Sequence, residues 1–301
     1  MKVRIITDTT DFTSIDNGDK ILINETLYKV TGHAHEVLSG IEDPKFWVKR
    51  VVDVDSGERK IIKLTFLENF ETTIGGAKIK CFRDPNKEGK ILELVQEHPH
   101  FMQGKPCLDA MGNNVRILDV VHGPNFLSYI HSIKMKYDMY FSTVLPGILK
   151  MITKAFYAIR FLHESGYKHG DIRNDHLIVD KDNGNLVWID FDYDFITDEN
   201  PYSLDVFGLG NILAYAIGKG FHNYYAIAND PDTYGDLVNR LEPEDFSLLE
   251  KQRLFNLRKL YPIIPKTLNH VLLHFSRGTE IYYETVDDII EDLNRCLQAF
   301  Y

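Results

Sequence analysis

Apolar and polar positions change rhythm along this chain. From residue 20 to about 121, short runs of β-branched and aromatic residues are broken by polar turns, the pattern of strands. ILINETLYKV (21–30) and KFWVKRVVDV (45–54) are of this kind, and DSGE (55–58) joins the second to RKIIKLTF (59–66) as a hairpin. One helix is expected in this part. Asp84 would cap it, Pro85 would sit in its first turn, and Ile91, Leu92, Leu94 and Val95 form its apolar stripe. After residue 121 the period lengthens. Ile148, Ile152, Ala155, Phe156, Ile159 and Leu162 recur at three- and four-residue steps and predict a buried helix over 146–166. Val206, Leu209, Ile212, Leu213, Ala216 and Ile217 repeat the pattern, with Gly218 and Gly220 placed to end the helix. Val286, Ile289, Ile290, Leu293, Leu297 and Phe300 repeat it once more. Between the first two helices, HLIV (176–179) and LVWIDF (186–191) flank the turn signal DKDNG and read as a small hairpin.

Composition narrows the class. The chain has 301 residues, 44% hydrophobic and 26% charged, enough for one large domain or two lobes. No stretch approaches the roughly 18 apolar residues of a membrane helix, and the apolar run in MKVRIITDTT is too short for a signal peptide. Three widely spaced cysteines with no CxxC pair read as reduced thiols of a cytoplasmic protein. A net charge of −10 argues against a nucleic-acid binder, while leaving room for a local basic groove around a phosphate.

The hairpin carries the candidate chemistry. YKHGDIRNDHLIV places Asp171 just before its first strand, and LVWIDFDYD places Asp190 at the end of its second. Two carboxylates at adjacent ends of a tight hairpin can converge on one divalent cation and one reacting hydroxyl. A second pair follows from the helix wheel. Glu88 lies three and four residues before Ile91 and Leu92 on the apolar face, whereas Glu93 falls on the solvent side. A carboxylate on a core-facing stripe needs a cation, and Lys63 is the candidate.

At these residues the chain resembles the protein-kinase-like superfamily. His169-Gly170-Asp171 followed by His176 is similar to the catalytic loop His-Arg-Asp with its Asn five residues on, and Asp190-Phe191-Asp192 to Asp-Phe-Gly. RKIIK resembles the third-strand motif that carries the nucleotide lysine, here Lys63. VRILDVVHGPNFLSYI resembles the fifth strand and hinge, with Leu118 as gatekeeper and Asp119 to Val121 as hinge. Asp205 stands where the family keeps the Asp that braces the catalytic loop; its alternative is a plain helix N-cap. The resemblance covers about residues 30–298 and implies an α+β, bilobal kinase-like fold. A β-rich N-lobe would span 1–121, residues 1–29 being an extension that adds a strand, and a helical C-lobe 122–301. It implies ATP with Mg²⁺ or Mn²⁺, and γ-phosphate transfer to a hydroxyl of a protein Ser or Thr. Asp171 would be the base, Arg173 would neutralise the transferring phosphate, Lys63 and Glu88 would place the α- and β-phosphates, and Asp190 and His176 would hold the metal.

Three departures keep alternatives open. There is no GxGxxG between residues 30 and 50; Gly32 and Gly40 are the candidates, and the spacing to Lys63 favours the 40–48 segment. His176 replaces a metal-binding Asn, as in the similar bacterial lipopolysaccharide-core kinases, and is either a ligand suited to Mn²⁺ or a buried structural histidine. Asp205 follows Asp190 by only 15 positions, with no Ala-Pro-Glu, so Thr197 and Ser203 are poor switch sites. A small-molecule or glycan kinase is the first alternative, and a pseudokinase acting as a binding module the second.

Overall fold

Alternating apolar positions build a seven-stranded sheet in the first part of the chain. The computed structural model describes residues 3–38 and 41–298, with backbone alone for 36–38 and 41–43. It is an α+β protein whose chain divides into two compact units, residues 1–69 with 82–121, and 70–81 with 122–301.

In the first unit, strands β1 (Ile5–Ile6), β2 (Lys20–Ile23), β3 (Thr26–Leu38), β4 (Ile41–Asp53) and β5 (Arg59–Lys63) precede the hairpin β6 (Asn69–Ile74) and β7 (Ala77–Arg83). Helix α1 (Pro85–Leu94), β8 (Gly104–Leu108) and β9 (Asn114–Asp119) complete this part. The sheet order is β1-β2-β3-β4-β5-β9-β8. The stretch 21–30 is two strands because Asn24 and Glu25 both take positive φ, 47° and 67°, and pair Ile23 with Thr26 across a tight turn. Gly32 is a bulge residue inside β3. One face of the sheet buries Ile21, Val30, Val51, Ile62 and Ile117. On α1, the Asp84 carboxylate accepts from the Asn86 and Lys87 amides and Pro85 opens the first turn. Glu93 is exposed and Glu88 fully buried.

The two ends of the sheet order are tied together. Ala110 N, after β8, donates to Thr7 O, after β1. The buried carboxylate of Asp109 accepts from Thr9 N (2.7 Å) and Thr9 Oγ1 (2.8 Å) on one side, and from the Met111 and Asn113 amides and Asn113 Nδ2 on the other. Residues 1–29 thus supply β1, β2, the first four residues of β3 and the tie, more than the single strand expected. Lys49 anchors the same segment. Its ammonium is fully buried, donates to Phe12 O (2.9 Å) and Ile15 O (2.6 Å), and is pushed down by burial to about 8.

The second unit contains α2 (Phe126–Ser132), α3 (Leu145–Glu164), β10 (Leu177–Val179), β11 (Leu186–Trp188), β12 (Tyr193–Ile196), α4 (Ser203–Gly218) and α5 (Val286–Gln298). Trp188 Nε1 donates to Ala155 O at 2.9 Å and ties β11 to α3. Gly123 lies where a Cβ would come 1.9 Å from Val179 O, so only glycine fits beside β10. Residues 70–81 fall in this unit rather than with the strands around them, because β7 pairs with β6 on one side and β12 on the other. Helix α4 ends at Gly218, where the glycine signal places its end, with one difference at the cap. Lys219, not a glycine, takes the left-handed cap (φ 56°), held by its ammonium bond to Met135 O. No helix among the described residues is long and apolar enough to cross a membrane.

Burial works to raise the Asp109 carboxyl, but its donors outweigh it and hold it at about 2, against an ordinary 3.8. Asp109→Asn should therefore lower the unfolding free energy at neutral pH by about 2 kcal/mol. Because the folded-state pKa lies below the unfolded one, this stabilisation is complete above about pH 4 and is lost as pH falls through about 2. Denaturant unfolding of both proteins across this range should give curves that converge at the acid end. Parallel curves would show that Asp109 is not the tie.

Candidate active site

The antiparallel register of β10 and β11 brings the ends of their hairpin together. Leu177 faces Trp188, and one further bond, Ile189 N to His176 O (3.0 Å), extends the ladder to the residue before Asp190. Asp190 then turns the chain with φ 64°, a conformation costly for a residue with a Cβ and concentrated at functional sites. Before the hairpin, Gly170 takes φ 88°, which explains glycine at this point of the loop.

His176 lies between the two carboxylates. Its Nδ1 is 3.0 Å from Asp171 O and 3.3 Å from Asp171 Oδ2, and its Nε2 is 3.4 Å from Asp190 Oδ2. A carbonyl oxygen only accepts, so Nδ1 carries the hydrogen, and Nε2 meets Asp190 either as a second N–H or through its lone pair. In the neutral form of the imidazole, its nitrogen and the Asp190 carboxylate are two donors able to share a cation. Donors about 2.1 Å from one ion, at or a little beyond a right angle, lie about 3–3.4 Å apart, and the Nε2–Oδ2 separation fits. Among the described residues no three His, Cys, Asp or Glu side chains are gathered to hold a metal ion alone. Two protein ligands with phosphate oxygens completing the shell is the arrangement these residues can support.

Burial raises the Asp171 carboxyl above its ordinary value. The negative charges of Asp190 and Asp175 add to this, while His176 and Arg173 oppose it. That moves it toward the working range of a general base. Arg173 forms a bidentate pair with Asp175 (Nε–Oδ1 3.0 Å), which fixes its guanidinium two residues from Asp171.

The loop is held from α4. Asp205 is fully buried, and its carboxylate accepts from the backbone amides of His169 (2.7 Å) and Gly170 (2.8 Å) and meets His163 Nε2 at 3.0 Å. Burial alone would push its pKa up; these bonds bring it below the ordinary value. The plain N-cap alternative does not hold, because Tyr202 is the cap residue of α4 and Asp205 bonds the loop amides. A Cβ at Gly208 would lie 2.7 Å from Ile172 Cβ, so glycine lets α4 approach the loop.

In the first unit, Lys63 Nζ is 2.8 Å from Glu88 Oε1, the pairing the helix wheel predicts, and both side chains are buried. Lys63 is therefore not a solvated strand-end lysine. Leu118 is buried opposite Ile61. Asp119 is exposed and paired with Lys60 at 2.9 Å. Val121 is the last residue of the first unit. Gly40 lies outside the described residues.

Two features escaped the sequence pattern. Arg116 Nε donates to Glu88 Oε2 at 2.9 Å, a second buried cation on the same carboxylate. Cys81 on β7 is buried, its thiol pushed up to about 11 by burial, with a further contribution from the charge of Asp171. A basic residue within an apolar strand was the only signal for the first, and nothing signalled the second. Comparison with protein-family models gives no match, and neither does comparison with curated proteins.

Replacing Asp205 by Asn puts an amide nitrogen where one loop N–H or the imidazole now donates. Asp205→Asn should destabilise the second unit by about 2–3 kcal/mol. Amide exchange of His169 and Gly170 should rise with it. Unchanged protection of these two amides would contradict the brace.

Proposed function

We propose that this chain is an ATP-dependent phosphotransferase of bilobal, protein-kinase-like arrangement, moving a γ-phosphate to a hydroxyl of a protein Ser or Thr. The observation that carries the reading is His176 set between Asp171 and Asp190, on a loop braced by the buried carboxylate of Asp205. Asp171 would orient the acceptor hydroxyl and take its proton. Arg173, oriented by Asp175, would offset charge on the transferring phosphate. Asp190 and His176 would hold Mg²⁺ or Mn²⁺, which when bound supplies positive charge to the phosphate oxygens. Lys63, with Glu88, would meet the α- and β-phosphates, and Leu118 to Val121 would border the base.

One observation favours a small-molecule or glycan hydroxyl as acceptor. Of the 14 residues between Asp190 and Asp205, four form β12, which is built into a sheet with β7 and anchored by Lys168 Nζ on Phe195 O (2.6 Å). Little chain remains to shape a peptide-docking surface.

Asp171→Asn keeps the shape of the side chain but cannot take a proton. Phosphate transfer, including autophosphorylation, should fall by about 10²–10⁴-fold, with nucleotide affinity and melting temperature nearly unchanged. Equal rates for the two proteins would remove Asp171 from the mechanism.

Imidazole competes poorly with water for Mg²⁺ and better for Mn²⁺. Nucleotide-dependent thermal stabilisation should therefore be at least as large with Mn²⁺ as with Mg²⁺, and His176→Asn should shift the preference toward Mg²⁺. A metal preference indifferent to His176 would make the histidine structural. No thermal shift with any metal and nucleotide, together with no transfer to protein or small hydroxyl compounds, would favour the binding-module reading.

A further inference from the structure

Lys63 and Arg116 stand directly opposite each other on the paired strands β5 and β9, so both side chains leave the same face of the sheet. Like charges in that relation repel. Here both are buried, and Glu88 of α1 separates them, with Oε1 on Lys63 and Oε2 on Arg116. The two cations are not held alike. Arg116 also donates through Nη1 to Asn114 Oδ1 (3.2 Å), and Asn114 Nδ2 donates to Asn86 Oδ1 (3.1 Å), the second residue of α1. Its planar guanidinium is thus fixed to the helix by two routes. The Lys63 ammonium ends a flexible stem and meets Glu88 Oε1 at 2.8 Å.

We propose that Arg116 is a positioning residue, the standing counter-ion of Glu88, which lets Lys63 turn to an anionic ligand without leaving a buried carboxylate bare. The inference rests on the reading that Lys63 meets nucleotide phosphates, and it names what that reading requires of Glu88. A carboxylate at full burial with no cation is severely destabilising. With Arg116 in place, α1 stays docked whether Lys63 points to Glu88 or to phosphate. Without Arg116, Glu88 competes harder for Lys63, and the nucleotide loses part of its cation.

The test combines a stability cycle with nucleotide binding. Lys63→Met and Arg116→Met each leave Glu88 one cation and should lower the melting temperature modestly. The double variant should lose more than the sum of the two. If the double variant does not fold, adding Glu88→Leu removes the stranded charge and should restore folding. Calorimetric titration with ATP and Mn²⁺ should show about a tenfold weaker Kd for Arg116→Met, recovered to within about threefold by Arg116→Lys, which keeps the charge. An additive cycle, a triple variant that gains nothing, or a Kd unchanged in Arg116→Met overturns the proposal. If the wild-type protein binds no nucleotide, the phosphotransferase reading fails, and the cycle by itself still decides whether Arg116 is the standing counter-ion.

Discussion

The buried carboxylate of Asp205 fixes the position of nearly everything in the second unit's site. It accepts from the amides of His169 and Gly170, and an unsatisfied carboxylate at full burial would be far more costly than either bond is stabilising. The loop therefore cannot leave α4 without exposing that charge to an apolar interior. With the loop fixed, Asp171 and His176 are placed at the mouth of the β10–β11 hairpin. The hairpin register then delivers Asp190 to His176 Nε2. His169 is wedged against Trp188 and Phe191, so the residues flanking the carboxylates are packed and cannot drift.

The first unit follows the same logic with other charges. Asp109 ties the two ends of the sheet order, Lys49 pins the segment before β2 through backbone carbonyls, and Glu88 holds α1 to β5 and β9. Each is a buried charge whose partners are distant in sequence. Such groups are weak sources of net stability and strong sources of uniqueness, because any other packing would leave them bare.

What was legible in the sequence was local. Helix α1 could be read from Asp84, Pro85 and the wheel position of Glu88, and the pairing of Glu88 with Lys63 followed from one physical requirement. The convergence of Asp171 and Asp190 was also local, since a hairpin of known turn length fixes which residues meet. The rest depended on long-range pairing. Arg116 sits in VRILD, which as a sequence says only that a strand contains one basic residue; its partner Glu88 lies 28 positions away. The β6–β7 hairpin has too many exposed polar positions for a clear strand pattern, and its place in the second unit comes from pairing with β12. Glu25 and Lys219 take left-handed backbone that glycine or asparagine would have signalled.

Phosphoryl transfer by the proposed route requires the nitrogen of His176 and the carboxylate of Asp190 to share one cation in the presence of nucleotide. Pulsed electron paramagnetic resonance of Mn²⁺ added with a non-hydrolysable ATP analogue reads this directly, because a coordinated imidazole nitrogen modulates the manganese echo. The account predicts nitrogen modulation from a single histidine and phosphorus coupling from the analogue in the same sample. Bound Mn²⁺ that shows phosphorus but no nitrogen would contradict the placement of His176. Mn²⁺ that remains free in solution with saturating analogue would contradict the phosphotransferase reading itself.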